Sequence, residues 1–302
     1  MITNINFIKK FPVFLTVSLI IGLSGIIIAF VMGVRIDIQF SGGTIINYSY
    51  EGEIDTVKVA ETVRTSVDAE SDVIETEDIT GTTNFRITFA GTRHLEIEEQ
   101  DKLTHDLQEA FPDSNVKLGQ VASVSASSGM SFFVKCLVAI LFAFIMLVIY
   151  IGFRFKKIGG WSAGLCSIIA LLNEILIVFS ITAIFGFTIG DTFMAVALTI
   201  AGYSLNDSII VFDRIRENRT TYQDKMSIEE YTNLSINQCL WRNINTSITT
   251  ISVMTIVVIV AAIFGVTAIL AFGIPFIVGL AMGAFSSLCF AAPLWVRMQK
   301  RH

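Results

Sequence analysis

The chain has 302 residues, of which 53% are apolar and 16% charged, and its formal net charge is −5. Such a composition is too oily for a soluble domain of this length, and the acidic balance gives no support to nucleic-acid binding. The four cysteines form no CxxC pair and none lies in the segment 34–131, so a disulfide framework there and a CxxC metal site anywhere are excluded.

The first long apolar run covers 11–33. It is longer than the apolar core of a secretory signal and shows no clear small-residue cleavage site before Arg35, so we read it as a retained membrane anchor. FSGGT (40–44) follows. The adjacent Gly42 and Gly43 permit positive φ or a close backbone approach. No helix and no suitably placed Lys follow them, so they form a structural turn rather than a phosphate loop.

Residues 34–131 read as strand–helix–strand–strand–helix–strand. TIINYSY (44–50) alternates as a half-buried strand does, and 55–67 places Val59, Val63 and Val67 at helical spacing with Asp55 as its cap. VIET and NFRITFA alternate again, Leu95 to Phe111 is an amphipathic helix ended by Pro112, and 116–124 is a closing strand. The order suits a ferredoxin-like α+β sandwich. Its eighteen Asp and Glu outnumber seven Lys and Arg, so this segment carries the acidity of the chain. His94 and His105 are expected on its surface. The small-residue stretch SVSASSGMS (123–131) reads as a linker or hinge.

Five more runs follow, at 132–153, 161–185, 192–212, 244–264 and 270–295. Each of the six is close to or above the roughly 20 residues that span a bilayer as a helix. Lys9 and Lys10, then Arg154, Lys156 and Lys157, then Arg214, Arg216, Arg219 and Lys225, then Arg297, Lys300 and Arg301 all fall on one side of a six-span chain. That side is expected to be the cytoplasm, with both termini on it and 34–131 outside. The domains are therefore 1–33 (N-terminus and first span), 34–131 (extracytoplasmic) and 132–302 (spans two to six).

Two spans contain carboxylates: Glu174, beside Asn173, in the third, and Asp207, beside Asn206, in the fourth. An ionised carboxylate at such depth costs at least about 2.5–3.5 kcal/mol on insertion scales. A chain free to use Leu has kept two of them. Interhelical glue is one use of such groups; a proton relay is the other. In the fifth span, RNINTSITTISVMT (242–255) is rich in hydroxyls and amides, and Arg242, Thr246 and Thr249 share one helical face by i, i+4, i+7 spacing. Just before it SIEE (227–230) is a capping box, starting a helix whose Ile228, Tyr231 and Leu234 face one way, as in a helix lying along the membrane surface. A movement that alters the Asp207–Arg242 distance would alter proton occupancy. One charge crossing the membrane releases about 2.3 kcal/mol per 100 mV, enough to bias a two-state switch more than tenfold.

GYSLNDSIIVFDRIREN (202–218) closely resembles the fourth-span signature of the SecF family, accessory subunits of the bacterial Sec protein-export machinery. FSGGT resembles the DFxGGT motif of the SecD and SecF proteins, and the similarity of span order covers nearly the whole chain. The resemblance implies half of a bundle of the resistance–nodulation–division type, completed by SecD, in the bacterial cytoplasmic membrane. It further implies use of proton-motive force to assist late translocation of unfolded preproteins beside the Sec translocon channel, among membrane lipids. It puts Asp207 in the role of the essential span-four carboxylate and Arg242 in that of the span-five arginine. Glu174 joins the relay, with Asn173, Asn206, Thr246 and Thr249 as polar support and Gly42 and Gly43 as a structural motif. No metal or cofactor is implied beyond the coupling ion, which is the proton, with sodium the alternative. Two departures stand out: relatives often have His-Asp where this chain has Asn173-Glu174, and the Asp of DFxGGT falls at Gln39, two residues after Asp37. The competing readings are half of a small-molecule or lipid exporter of the same superfamily and a non-energised translocon scaffold. With no nucleophile–base pair or nucleotide loop, an enzyme is not expected.

Overall fold

The computed structural model describes residues 5–52, 54–69, 71–77, 83–90 and 95–300. His94, expected at the surface, lies outside them, as does Arg301 of the basic C-terminal group. The chain divides into two compact units, one of 36–137 with 260–270 and one of 1–35, 138–259 and 271–302.

The smaller unit contains a four-stranded sheet: β1 (Gly43–Tyr50), β2 (Asp72–Glu77), β3 (Thr83–Ala90) and β4 (Lys117–Val124). The strand order is β2-β3-β1-β4 and every pairing is antiparallel. With a helix between β1 and β2 and another between β3 and β4, this is the expected pair of interleaved split βαβ units. The first of those helices spans Thr56–Val67, opened by the Asp55 carboxylate on the Val57 amide at 2.9 Å. The second spans Ile97–Ala110 and carries a Glu96/Glu99 capping box. Val59, Val63, Leu103 and Leu107 from the helices meet Ile46, Tyr48, Phe85 and Ile87 of the sheet, all fully buried. His105 is exposed, and with Asp106 and Glu109 it makes the one cluster of candidate metal ligands among the described residues; such surface clusters are common without an ion.

The glycine pair is structural. Asp37 caps a single helical turn, Ile38–Ser41, by accepting from the Gln39 amide. Gly42 (φ 76°) and Gly43 (φ 135°) then turn the chain into β1. A Cβ on Gly43 would sit 2.1 Å from the Phe89 carbonyl oxygen, so only glycine fits between these strands.

Among the described residues, six helices are long and apolar enough to cross a membrane: Phe7–Val31, Ser127–Arg154, Gly160–Ile184, Asp191–Tyr222, Ile228–Ile263 and Thr267–Gln299. Their helical segments are α1 (Phe7–Met32), α5 (Ala126–Arg154), α6 (Gly160–Ile184), α7 (Asp191–Tyr222) and α8 (Ile228–Ile263). The sixth is α9 (Thr267–Ser286) and α10 (Ala292–Gln299), joined by a π-helical segment at Ser287–Ala291; α2 to α4 are the three helices of the smaller unit already given.

Two expectations change. The stretch 123–131 is no loose linker: β4 ends at Val124 and α5 begins at Ala126, with Ser125 between them. Its hydroxyl accepts from the Ser128 amide at 3.2 Å, so the serines act as a helix cap. The helix begun by SIEE is no separate surface helix either. Ser227 and Glu230 form the reciprocal box, at 2.8 Å and 3.3 Å, and α8 then runs unbroken into the fifth span because no Gly or Pro interrupts 228–263. Tyr231 is accordingly buried in a core with Phe212, Ile215 and Trp295.

Candidate functional site

α7 and α8 run antiparallel, and polar bonds set their register. At the end rich in Lys and Arg, Asn218 donates to Ser235 at 2.8 Å and to Gln238 at 2.9 Å, and Arg214 donates to Gln238 at 2.7 Å. One turn on, the Cys239 thiol faces the Ile210 carbonyl at 3.8 Å. Asp213, the second carboxylate of the signature stretch, is satisfied by Arg216 at 2.7 Å and Arg154 at 3.2 Å. It is a partly exposed structural ion-pair centre.

Asp207 is different. It is 8% exposed and has no hydrogen bond or direct ion pair among the described residues. It lines a small cleft with Tyr203, Ser204, Thr246, Ser247, Thr250 and Gly283, among others, whose volume of about 10 Å³ matches a single water. Arg242 is exposed and reaches Asp207 only by longer-range electrostatics, with no ion pair between them.

Glu174 is fully buried on α6. Its Oε1 accepts from the Ser204 hydroxyl at 2.8 Å, while Oε2 has no partner among the described residues and faces Gly283. Ser204 precedes Asp207 by three residues and lines the same cleft, so the hydroxyl bonded to Glu174 stands one helical turn from Asp207. Ser286 closes the other side of Glu174, its hydroxyl 3.5 Å from the Ala170 carbonyl. α9 approaches this closely because it presents Gly279 and Gly283: a Cβ on Gly279 would fall 2.0 Å from Ile200 Cδ1.

The remaining expected residues scatter. Thr246 lines the cleft, but its hydroxyl donates to its own helix at the Arg242 carbonyl, 2.9 Å. Thr249 is exposed and off the cleft, bonded to the Asn245 and Thr246 carbonyls. Asn206 is exposed beside Asp207. Asn173 turns to α1, donating to the buried Ser18 at 2.5 Å.

Sequence reasoning missed Ser204, Ser247, Thr250 and Asn243. Asn243 is fully buried, and neither its Oδ1 nor its Nδ2 has a partner among the described residues. Each unmet buried polar atom costs about 1–3 kcal/mol. The signal available was the helical phase: Asn243, Ser247 and Thr250 stand at i, i+4, i+7, one residue out of step with the face chosen from Arg242.

Six apolar helices, a ferredoxin-like domain and two buried carboxyls on neighbouring helices define a multi-pass membrane protein of transporter type. The chain belongs to the SecD/SecF family of protein-export membrane proteins, on its SecF side. The family model "Protein export membrane protein SecD/SecF, C-terminal" matches residues 103–301. The protein translocase subunit SecF of Petrotoga mobilis is 33% identical over 302 residues, covering 99% of this chain and 97% of that one. The SecDF subunit of Bacillus subtilis is 28% identical, with 98% of this chain matching 38% of its length. The crystal structure of SecDF, a translocon-associated membrane protein from Thermus thermophilus, superposes with a TM-score of 0.80 at 24% identity. The match covers 98% of this chain and 39% of that one. Membership places the chain among translocase subunits and not among enzymes.

Proposed function

We propose that this chain is the proton-coupled half of a protein-export device in the bacterial cell membrane, working with a SecD half to draw unfolded preproteins outward beside the Sec translocon channel. Asp207 is the group that binds and releases the proton, with Glu174 exchanging through Ser204 and Arg242 modulating Asp207 as the helices shift. The observation that carries this reading is a buried Asp207 without a partner in a water-sized cleft whose hydroxyls reach a second buried carboxyl. A carboxyl used as glue would be bonded to the helix it holds. SecDF relatives, in which a SecF-like part is about two fifths of one longer chain, support the pairing with SecD. The clustering of Lys and Arg beyond one end of the spans supports a cytoplasmic placement of that end and an extracytoplasmic one for 34–131.

The test is export into proteoliposomes holding the translocon, SecD and this chain under imposed proton gradients. Asp207→Asn keeps shape and hydrogen bonding but cannot ionise. It is expected to insert and to bind SecD while losing the gradient-dependent part of export, with Arg242→Ala giving a similar loss. Gradient-dependent export at the wild-type rate by Asp207→Asn would leave only the scaffold reading standing.

A further inference from the structure

We propose that Asn243 holds an ordered water through which Asp207 exchanges protons with the Lys- and Arg-rich end of the bundle. The inference deepens the relay reading above and rests on it.

The register of α7 on α8 fixes the place. Asn218 and Arg214 meet Ser235 and Gln238, Ile210 meets Cys239, and Asp207 and Ser204 share a cleft with Thr246, Ser247 and Thr250. Asn243 falls between the last two levels, one helical turn from Cys239 and one turn from Ser247. It therefore lies between the Asp207 cleft and the Arg214–Gln238–Asn218 network, on the α8 face that looks at α7.

Among the described residues it alone is a buried side chain with two polar atoms and no partner for either. Thr250 on the same face carries no such demand, because its hydroxyl donates to the Thr246 carbonyl. An amide offers two N–H donors and a carbonyl acceptor, so one water can accept from Nδ2 and donate to Oδ1 while keeping an O–H and a lone pair for the next partner. Buried waters sit where polar groups lack protein partners.

The step balances simply. The Asp207 O–H bond breaks and its proton joins the Asn243-bound water, which gives up one of its own protons to the next water toward the cationic end. The carboxylate and one solvent hydronium result, and the bound water is restored. Asn243 does not titrate, so it is a positioning residue. The charged groups nearest this route are Arg242 on α8 and Arg214 and Asp213 on α7, the last two already bonded to Gln238 and Glu217, and to Arg154 and Arg216.

The test uses the full chain with SecD in proteoliposomes. Infrared absorption follows the carboxylic C=O band that Asp207→Asn removes, after a rapid pH jump on the side facing the Lys- and Arg-rich end. Thr and Val have nearly the same shape, so Asn243→Thr and Asn243→Val separate hydrogen bonding from packing. Asn243→Val should slow the band's response by about tenfold or more, and Asn243→Thr should stay near wild type. A Val variant as fast as wild type overturns the proposal, as do Thr and Val variants equally slowed. If either fails to insert, Asn243→Ser and Asn243→Ala form the same comparison at smaller volume. A wild-type protein with no pH-responsive Asp207 band overturns the relay reading itself and this inference with it, and is told apart by needing no variant at position 243.

Discussion

Ser204 donates its hydroxyl to Glu174 at 2.8 Å from a position one turn before Asp207 on the same helix. The two carboxyls in the spans are therefore not independent. Ser204→Ala would remove the hydrogen bond to Glu174 Oε1, which is expected to cost about 1–3 kcal/mol. Glu174→Gln keeps an acceptor for Ser204 and should cost less, with a milder loss of export than Asp207→Asn. A double-mutant cycle on thermal or denaturant unfolding checks this. Coupling between the two changes of about 0.5–3 kcal/mol is expected, and strict additivity would show that the bond contributes nothing.

Close packing of α9 predicts a compensating pair. Gly279→Ala drives a Cβ into Ile200 and should destabilise the bundle by about 1–3 kcal/mol. Gly283→Ala meets Ser204 Cβ at 3.3 Å and should be tolerated better. Ile200→Val removes Cδ1, 2.0 Å from the Gly279 Cβ, but leaves Cγ1 at 2.7 Å, so Gly279→Ala with Ile200→Val should recover only part of the lost melting temperature. A double variant no more stable than Gly279→Ala would mean that the contact is not what limits this position.

At the sheet, Gly43→Ala should be the worst single methyl among the described glycines of the smaller unit. Its Cβ would strike the Phe89 carbonyl, backbone that cannot rotate away, at a φ of 135°. Sparsely populated conformations cost about 1–3 kcal/mol before any clash is counted. Gly52→Ala is the control, since φ is 86° there but nothing lies within 4 Å of its Cβ. Proteolysis of the two variants in detergent should show 43 opening faster than 52; equal rates would contradict the argument.

Tyr48 gives an alkaline signature. Burial pushes its hydroxyl above the ordinary 10.0, the Asp101 charge adds to that, and the hydrogen bond with Thr104 opposes it. The unfolded chain ionises this tyrosine first, so its contribution to stability is complete below pH 10.0 and falls away as pH rises through the folded value. Tyr48→Phe should lose about 0.5–1.5 kcal/mol near neutrality, with the Thr104 bond, and should be less sensitive than wild type above that pH. Denaturant unfolding across the alkaline range, read beside tyrosinate absorbance, is the measurement.

The number and order of the spans were legible because a bilayer demands long uncharged runs, and the α+β order because strand and helix periods differ. What hydropathy does not mark is where a helix stops. α7 continues past Phe212 to Tyr222, and α8 starts some sixteen residues before the apolar run at 244. Charged helix formers extend a span into water without changing its fold. The serines of 123–131 looked like linker because the same residues cap helices and make loops. Glu174 and Asp207 stood out against an apolar background, whereas the polar face of α8 did not. Polar residues surround that helix at 242–250, so spacing alone left its phase open, and only packing against α7 separates Asn243 and Ser247 from Thr249.

The π-helical segment at Ser287–Ala291 gives the last span two phases. A π turn adds one residue to a turn, so everything after it is rotated by about 100° relative to an uninterrupted α-helix. Upstream of it, Gly279 and Gly283 face Ile200 and Ser204; downstream, Trp295 and Val296 are fully buried in the opposite end of the bundle. A regular helix of the same length could not present both surfaces correctly. Winding all five residues of 287–291 as plain α-helix would swing Trp295 about 100° out of its site, whereas removal of one residue there would let the span wind as plain α-helix with both surfaces kept in phase. The sixth span is thus two short helices that share an axis but not a clock position, and its chain length is as much a part of its information as its side chains.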